Sequence, residues 1–120
     1  MLKKNPKTRC ERKQYTKCEG VCRTYNKIQA AYAALLEGNP EVETFQCNVP
    51  LDGLDEGEYT SDFVAKKTDG SYRVRECVER KKLLWPSVTK LLDASRNYWT
   101  KRGVEDWGLV IDKEKSGDED

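Results

Sequence analysis

The 120-residue sequence predicts an α/β domain with the order helix, strand, strand, strand, helix, strand, built as a mixed sheet flanked by helices. Three observations predict it. Residues 24–37 and 87–101 repeat apolar side chains at helical spacing. Residues 59–78 read as two strands around Asp69-Gly70, a strong hairpin signal because glycine tolerates positive φ. Residues 107–111 form an apolar run suited to a buried strand.

In chain order, residues 1–23 form a basic arm, with eight Lys or Arg against Glu11 and Glu19. Lys3, Lys4, Lys7, Arg9, Arg12 and Lys13 are its candidates for phosphate contact. A solubilising tail is the plainer reading. The first helix carries Ile28, Ala31, Tyr32, Leu35 and Leu36 on one face; Thr24 or Asn26 caps it, and Gly38 with Pro40 ends it. A short strand at 42–47 and a Gly- and Asp-rich loop at 49–57 lead to the hairpin. Its Tyr59, Phe63, Val64, Tyr72, Val74 and Val78 suit a pleated surface. The second helix presents Val88, Leu91, Leu92, Ser95, Tyr98 and Trp99, with Pro86 tolerated in its first turn and Gly103 past its end. The domain proper is thus 24–112, and 113–120 is an acidic tail.

Composition excludes several chemistries. The chain contains no histidine, which removes the Ser-His-Asp triad, Cys-His nucleophiles, histidine general bases and imidazole-dependent zinc sites. No apolar run is long enough for a signal peptide or a membrane span, so a cytoplasmic protein without membrane contact is expected. Five cysteines, an odd number, fit reduced thiols. Cys10, Cys18 and Cys22 lie among cations; a thiolate zinc site there needs a fourth ligand such as Cys47, and the spacing matches no common zinc module.

The hairpin places Asp62 near the start of its first strand and Glu76 near the end of its second, so the two carboxyls meet at one end. Adjacent carboxylates repel unless a proton or a cation relieves them, and hard divalent cations prefer oxygen ligands. Mg²⁺ (or Mn²⁺) on Asp62 and Glu76 is one reading; two surface acids at a sheet end is the other.

The element order matches the core of the PD-(D/E)xK nuclease fold. Leu35-Leu36-Glu37-Gly38-Asn39-Pro40-Glu41-Val42, Tyr59-Thr60-Ser61-Asp62-Phe63, Tyr98-Trp99 and Gly103-Val104-Glu105-Asp106-Trp107-Gly108-Leu109-Val110 resemble the N-terminal catalytic domain of TnsA-type transposon endonucleases. The resemblance spans about residues 24–112. It implies a small metal-dependent endonuclease that hydrolyses DNA phosphodiesters, with Asp62 as metal-binding aspartate and Glu76 as the first residue of the Gln/Glu-x-Lys element. Metal on carboxylates would polarise the phosphate and activate water.

Two departures qualify it. The helix acid of the family falls on Gln29, and the lysine falls on Val78. A replacement cation could come from Arg80, Lys81 or Lys82; Arg80 keeps the parity of Glu76 if the strand continues. The family also carries a further C-terminal domain, so a compact protein of a phage or mobile element is expected. The alternative function is an inactive nuclease-fold binding protein, holding DNA or inhibiting a host defence nuclease. A homodimer completed across subunits, with Trp85 as anchor, is a third.

Overall fold

A computed structural model describes residues 10–53 and 59–112. The protein is α/β, and its described residues form a mixed sheet of four strands and two α-helices. The elements are β1 (Glu11–Lys13), β2 (Cys22–Thr24), α1 (Lys27–Gly38), β3 (Val42–Pro50), β4 (Thr60–Lys67), β5 (Tyr72–Val78), a 3₁₀ turn (Arg80–Lys82), α2 (Pro86–Lys101) and β6 (Asp106–Ile111). The sheet order is β3-β4-β5-β6; the first three strands are antiparallel neighbours, and β6 runs parallel to β5. The α2 crossover supplies the length that a parallel connection needs.

Local chemistry sets the boundaries. Asn26 caps α1 by accepting the Gln29 N–H on its side chain at 2.9 Å. Four residues, Thr68 to Ser71, join β4 to β5: Lys67 N–H donates to Ser71 O, Gly70 N–H donates to Lys67 O, and Gly70 takes φ 90°. Asp69 Oδ1 accepts the Ser71 N–H and hydroxyl, which stiffens that turn.

Thr24 lies in a strand and the first helix starts at Lys27, because residues 22–24 pair with residues 11–13 of the basic arm to form a two-stranded ribbon. Behind it, residues 17–19 dock on the β3 edge, where Glu19 N–H donates to Phe45 O and Phe45 N–H to Lys17 O, both at 2.9 Å. Covering an edge in this way removes a site for unwanted strand pairing. Lys3, Lys4, Lys7 and Arg9 of the arm, and the tail 113–120, lie outside the described residues.

Each face of the sheet has its own core. Against α1 lie Phe45, Phe63, Ala65 and Cys77, with Ala33 and Leu36. On the other face, Val78, Val88 and Leu92 pack with Trp107 and Leu109, and Val64 and Val74 pack with Trp99. One irregularity matters for the site. Cys47 and Val49 are two apart, so a regular strand would show them on one face. Instead Cys47 joins the α1 side and Val49 the α2 side. Between them Asn48 has φ 55°, a conformation that asparagine tolerates better than most residues. The paired strand β4 turns over at the same level: Ser61 meets α2, whereas Phe63 packs under α1.

Candidate functional site: a buried carboxyl pair

Asp62 and Glu76 do come together, but inside the protein. They are 1% and 0% exposed, so neither is a surface acid at a sheet end. The backbone pairing of β4 with β5 runs to Phe63 opposite Arg75. One step further, side chains take the place of carbonyls. Glu76 Oε1 accepts the Asp62 N–H at 2.9 Å, and Asp62 Oδ2 accepts the Cys77 N–H at 2.7 Å. The strand reversal turns Asp62 toward α1, where its Oδ1 accepts from Gln29 Nε2 at 3.1 Å.

Glu76 faces the other helix. Its Oε2 accepts the hydroxyls of Ser61 and Ser95, each at 2.6 Å. Those hydroxyl oxygens in turn accept indole N–H groups, Trp99 Nε1 on Ser61 at 2.9 Å and Trp107 Nε1 on Ser95 at 3.1 Å. Two indole–serine relays therefore converge on one carboxylate oxygen. Burial, and then the Asp62 charge, push the Glu76 carboxyl up to about 7, against the opposing pull of the serine and backbone bonds. Tyr59 is buried beside it, and no group among the described residues satisfies hydrogen-bond geometry for its hydroxyl. Burial, with the Glu76 charge behind it, raises that phenol.

The other expected residues stand differently. Gln29 is buried at the start of α1, and its orientation is unambiguous. Its oxygen accepts the Tyr25 N–H at 2.7 Å, a bond only oxygen can make, so its N–H₂ faces Asp62. It is a donor to Asp62, with its oxygen turned away from that carboxylate. Val78 lies in the apolar cluster with Val88 and Leu92. The strand ends at Val78, so the parity that would have aimed Arg80 at Glu76 does not extend to it. Arg80 and Lys81 are exposed in the 3₁₀ turn, and Arg80 N–H donates to Asp112 Oδ1 at 2.5 Å. Arg12 and Lys13 are exposed on β1. Ser61, Ser95, Trp99 and Trp107 escaped prediction as site residues. Only the parity of Ser95 within an apolar helix stripe hinted at a buried hydroxyl needing a partner.

The donor set tests the fit of a divalent ion. An ionised carboxylate offers about four acceptor positions, and the bonds from Ser61, Ser95 and Asp62 N–H occupy three on Glu76. Mg²⁺ needs near-octahedral oxygen ligation and keeps several waters. Two side chains with almost no exposed surface leave no room for that shell, so the closed pair does not fit hydrated Mg²⁺ or Mn²⁺.

The chain matches no family model and no curated protein.

Proposed function

We propose that the chain is a DNA-binding protein on a PD-(D/E)xK-like frame, one that holds DNA without cutting it. The carrying observation is the pair of substituted positions. Where the resemblance calls for an acid, Gln29 presents N–H to Asp62, and where it calls for a cation, Val78 fills an apolar cluster. With both charges gone, the remaining acids are bound to protein donors and act as a structural pin between β4, β5 and the two helices.

DNA as the partner is supported by the ribbon. Arg12 and Arg23 are directly paired across β1 and β2, and both are exposed. Like charges placed opposite each other destabilise a strand pair, and a phosphate backbone relieves them. Lys13 lies beside them, and Arg9, Lys7, Lys4 and Lys3 precede them in sequence. The test is a gel-shift titration on short duplex DNA at rising salt, beside a supercoiled-plasmid assay in Mg²⁺ and Mn²⁺. Binding that weakens steeply with salt, with no nicking above Asp62→Ala and Glu76→Ala, is expected. Salt-insensitive retention would point to a protein partner, for which exposed Leu84 and Trp85 offer a surface.

A second reading is the metal-dependent endonuclease itself, with Asp62 and Glu76 as ligands. Its support is the Tyr59 hydroxyl, buried with no well-formed hydrogen bond among the described residues, and the raised Glu76, since perturbed buried groups gather at functional sites. It requires the pocket to open, and it lacks the cation at Val78; loss of one preorganised group of this kind costs roughly 10²–10³ in rate. Weak nicking abolished by either alanine variant would establish it over the first reading.

A further inference from the structure

Three of the five cysteines converge away from the carboxyl pair. Cys18, Cys22 and Cys47 place their sulfurs all within 4.8 Å of one another. Cys22 Sγ is 2.8 Å and Cys18 Sγ 3.8 Å from Cys47 Sγ. They come from three separate pieces of backbone. Cys18 sits where residues 17–19 dock on β3, Cys22 opens β2, and Cys47 lies in β3 just before the reversal at Asn48. Gly20, with φ 81°, makes the turn that brings Cys22 back beside Cys18. The docking is held independently: Glu37 accepts the Lys17 N–H at 3.0 Å, and Lys17 Nζ donates to Asn39 O at 2.7 Å.

We propose that Cys18, Cys22 and Cys47 bind one Zn²⁺ ion, with water in the fourth position, and that this ion fastens the β1–β2 ribbon to the sheet. Zn–S bonds are about 2.3 Å, so two sulfurs on one tetrahedral zinc stand about 3.8 Å apart. The Cys18–Cys47 separation equals that edge. The closer Cys22–Cys47 pair, at 2.8 Å, opens by about 1 Å to reach it. Cys18 and Cys22 are buried, and Cys47 is partly open to solvent, which gives the ion an entry and the water a place. The Cys47 sulfur lies within sulfur hydrogen-bond distance of both Cys22 and Cys18, so the three thiols already face one point. On binding, each S–Zn bond replaces an S–H bond, and the protons pass to solvent. Cys10 belongs to a different place, one residue before β1, and is not a ligand. The sequence reading offered Cys47 as a fourth ligand beside Cys10, Cys18 and Cys22; the cluster brings Cys18, Cys22 and Cys47 together without Cys10.

The test uses the full chain, reduced and stripped of metal, titrated with Co²⁺ and then Zn²⁺. One equivalent of Co²⁺ should produce a thiolate-to-cobalt charge-transfer band, with proton release in weak buffer, and Zn²⁺ should displace it. Cys18→Ser, Cys22→Ser and Cys47→Ser should each lose the band; Cys10→Ser should keep it. If a triad variant fails to fold, the wild-type stoichiometry and a fall in Tm on adding a chelator still decide the matter. No band with reduced wild type, or loss of it in Cys10→Ser, overturns the proposal. So does a Cys22–Cys47 disulfide whose reduction yields thiols that take no Co²⁺.

Discussion

Gln29 Nε2 donates to Asp62 Oδ1 at 3.1 Å while its own oxygen accepts the Tyr25 N–H at 2.7 Å, so one amide couples the entry of α1 to the heart of β4. Gln29→Glu would retain the acceptor for Tyr25 but turn the Asp62 bond into a repulsion between buried acids. We expect a loss of about 1–3 kcal/mol at neutral pH from the unsatisfied group, smaller at pH 5, where the new acid can hold a proton. Urea denaturation at both pH values reads this directly; equal stability of the two proteins would refute the coupling.

The serine relays make a second prediction. Ser61 and Ser95 donate to the same oxygen of Glu76, and their own oxygens lie 3.4 Å apart. Ser61→Ala and Ser95→Ala should each cost roughly 1–3 kcal/mol, because each also strands an indole N–H. Their losses should not add, since the groups share one acceptor. A double-mutant cycle with a coupling energy indistinguishable from zero would contradict the shared site.

Protonation of Glu76 carries a sign. Its folded pKa, about 7, is above the ordinary 4.5, so the folded state binds the proton more tightly than the unfolded one. The stabilisation is fully present below about pH 4.5 and is lost as pH rises toward 7. A shift of that size corresponds to about 3 kcal/mol at most. Glu76→Gln should remove this slope, so the wild type should lose stability relative to the variant across that window. Parallel pH profiles would show that Glu76 does not titrate there.

Asp106 gathers three cations: Arg75 at 2.7 Å, Arg73 at 3.1 Å and Lys67 at 3.2 Å. Burial alone would raise the Asp106 carboxyl, but the bonds from Arg75, Arg73 and Lys67 outweigh it and hold the group well below the usual range. Its stabilisation is therefore present above that range and lost as pH falls below it. Asp106→Asn should cost about 1–2 kcal/mol after allowing for partial exposure, and added salt should shrink the deficit by screening the cations. A deficit that is insensitive to salt would mean that repulsion is not its cause.

For the ribbon, the double replacement of Arg12 and Arg23 by serine should weaken DNA binding and lower the salt slope by about 2, near 0.9 for each phosphate no longer neutralised. The ribbon should become more stable at the same time, because a like-charge pair is gone. Unchanged affinity would move the DNA-binding surface elsewhere.

The sequence by itself determined the identity and order of the main elements. Helical spacing in 24–37 and 87–101, Asp69-Gly70 at the hairpin and the apolar run at 107–111 each report on a few neighbouring residues, and neighbours decide local backbone form. It also determined that no histidine serves any site. Tertiary structure alone decided which way the acids point. Asn48 and the opposite level of β4 turn both strands over, and nothing in a period-two pattern announces that reversal. Ser95 reaches Glu76 from a helix 19 residues further on, and Cys47 reaches Cys22 across 25. Such meetings follow from how the sheet stacks its helices and edges, so they exist only once the chain has folded.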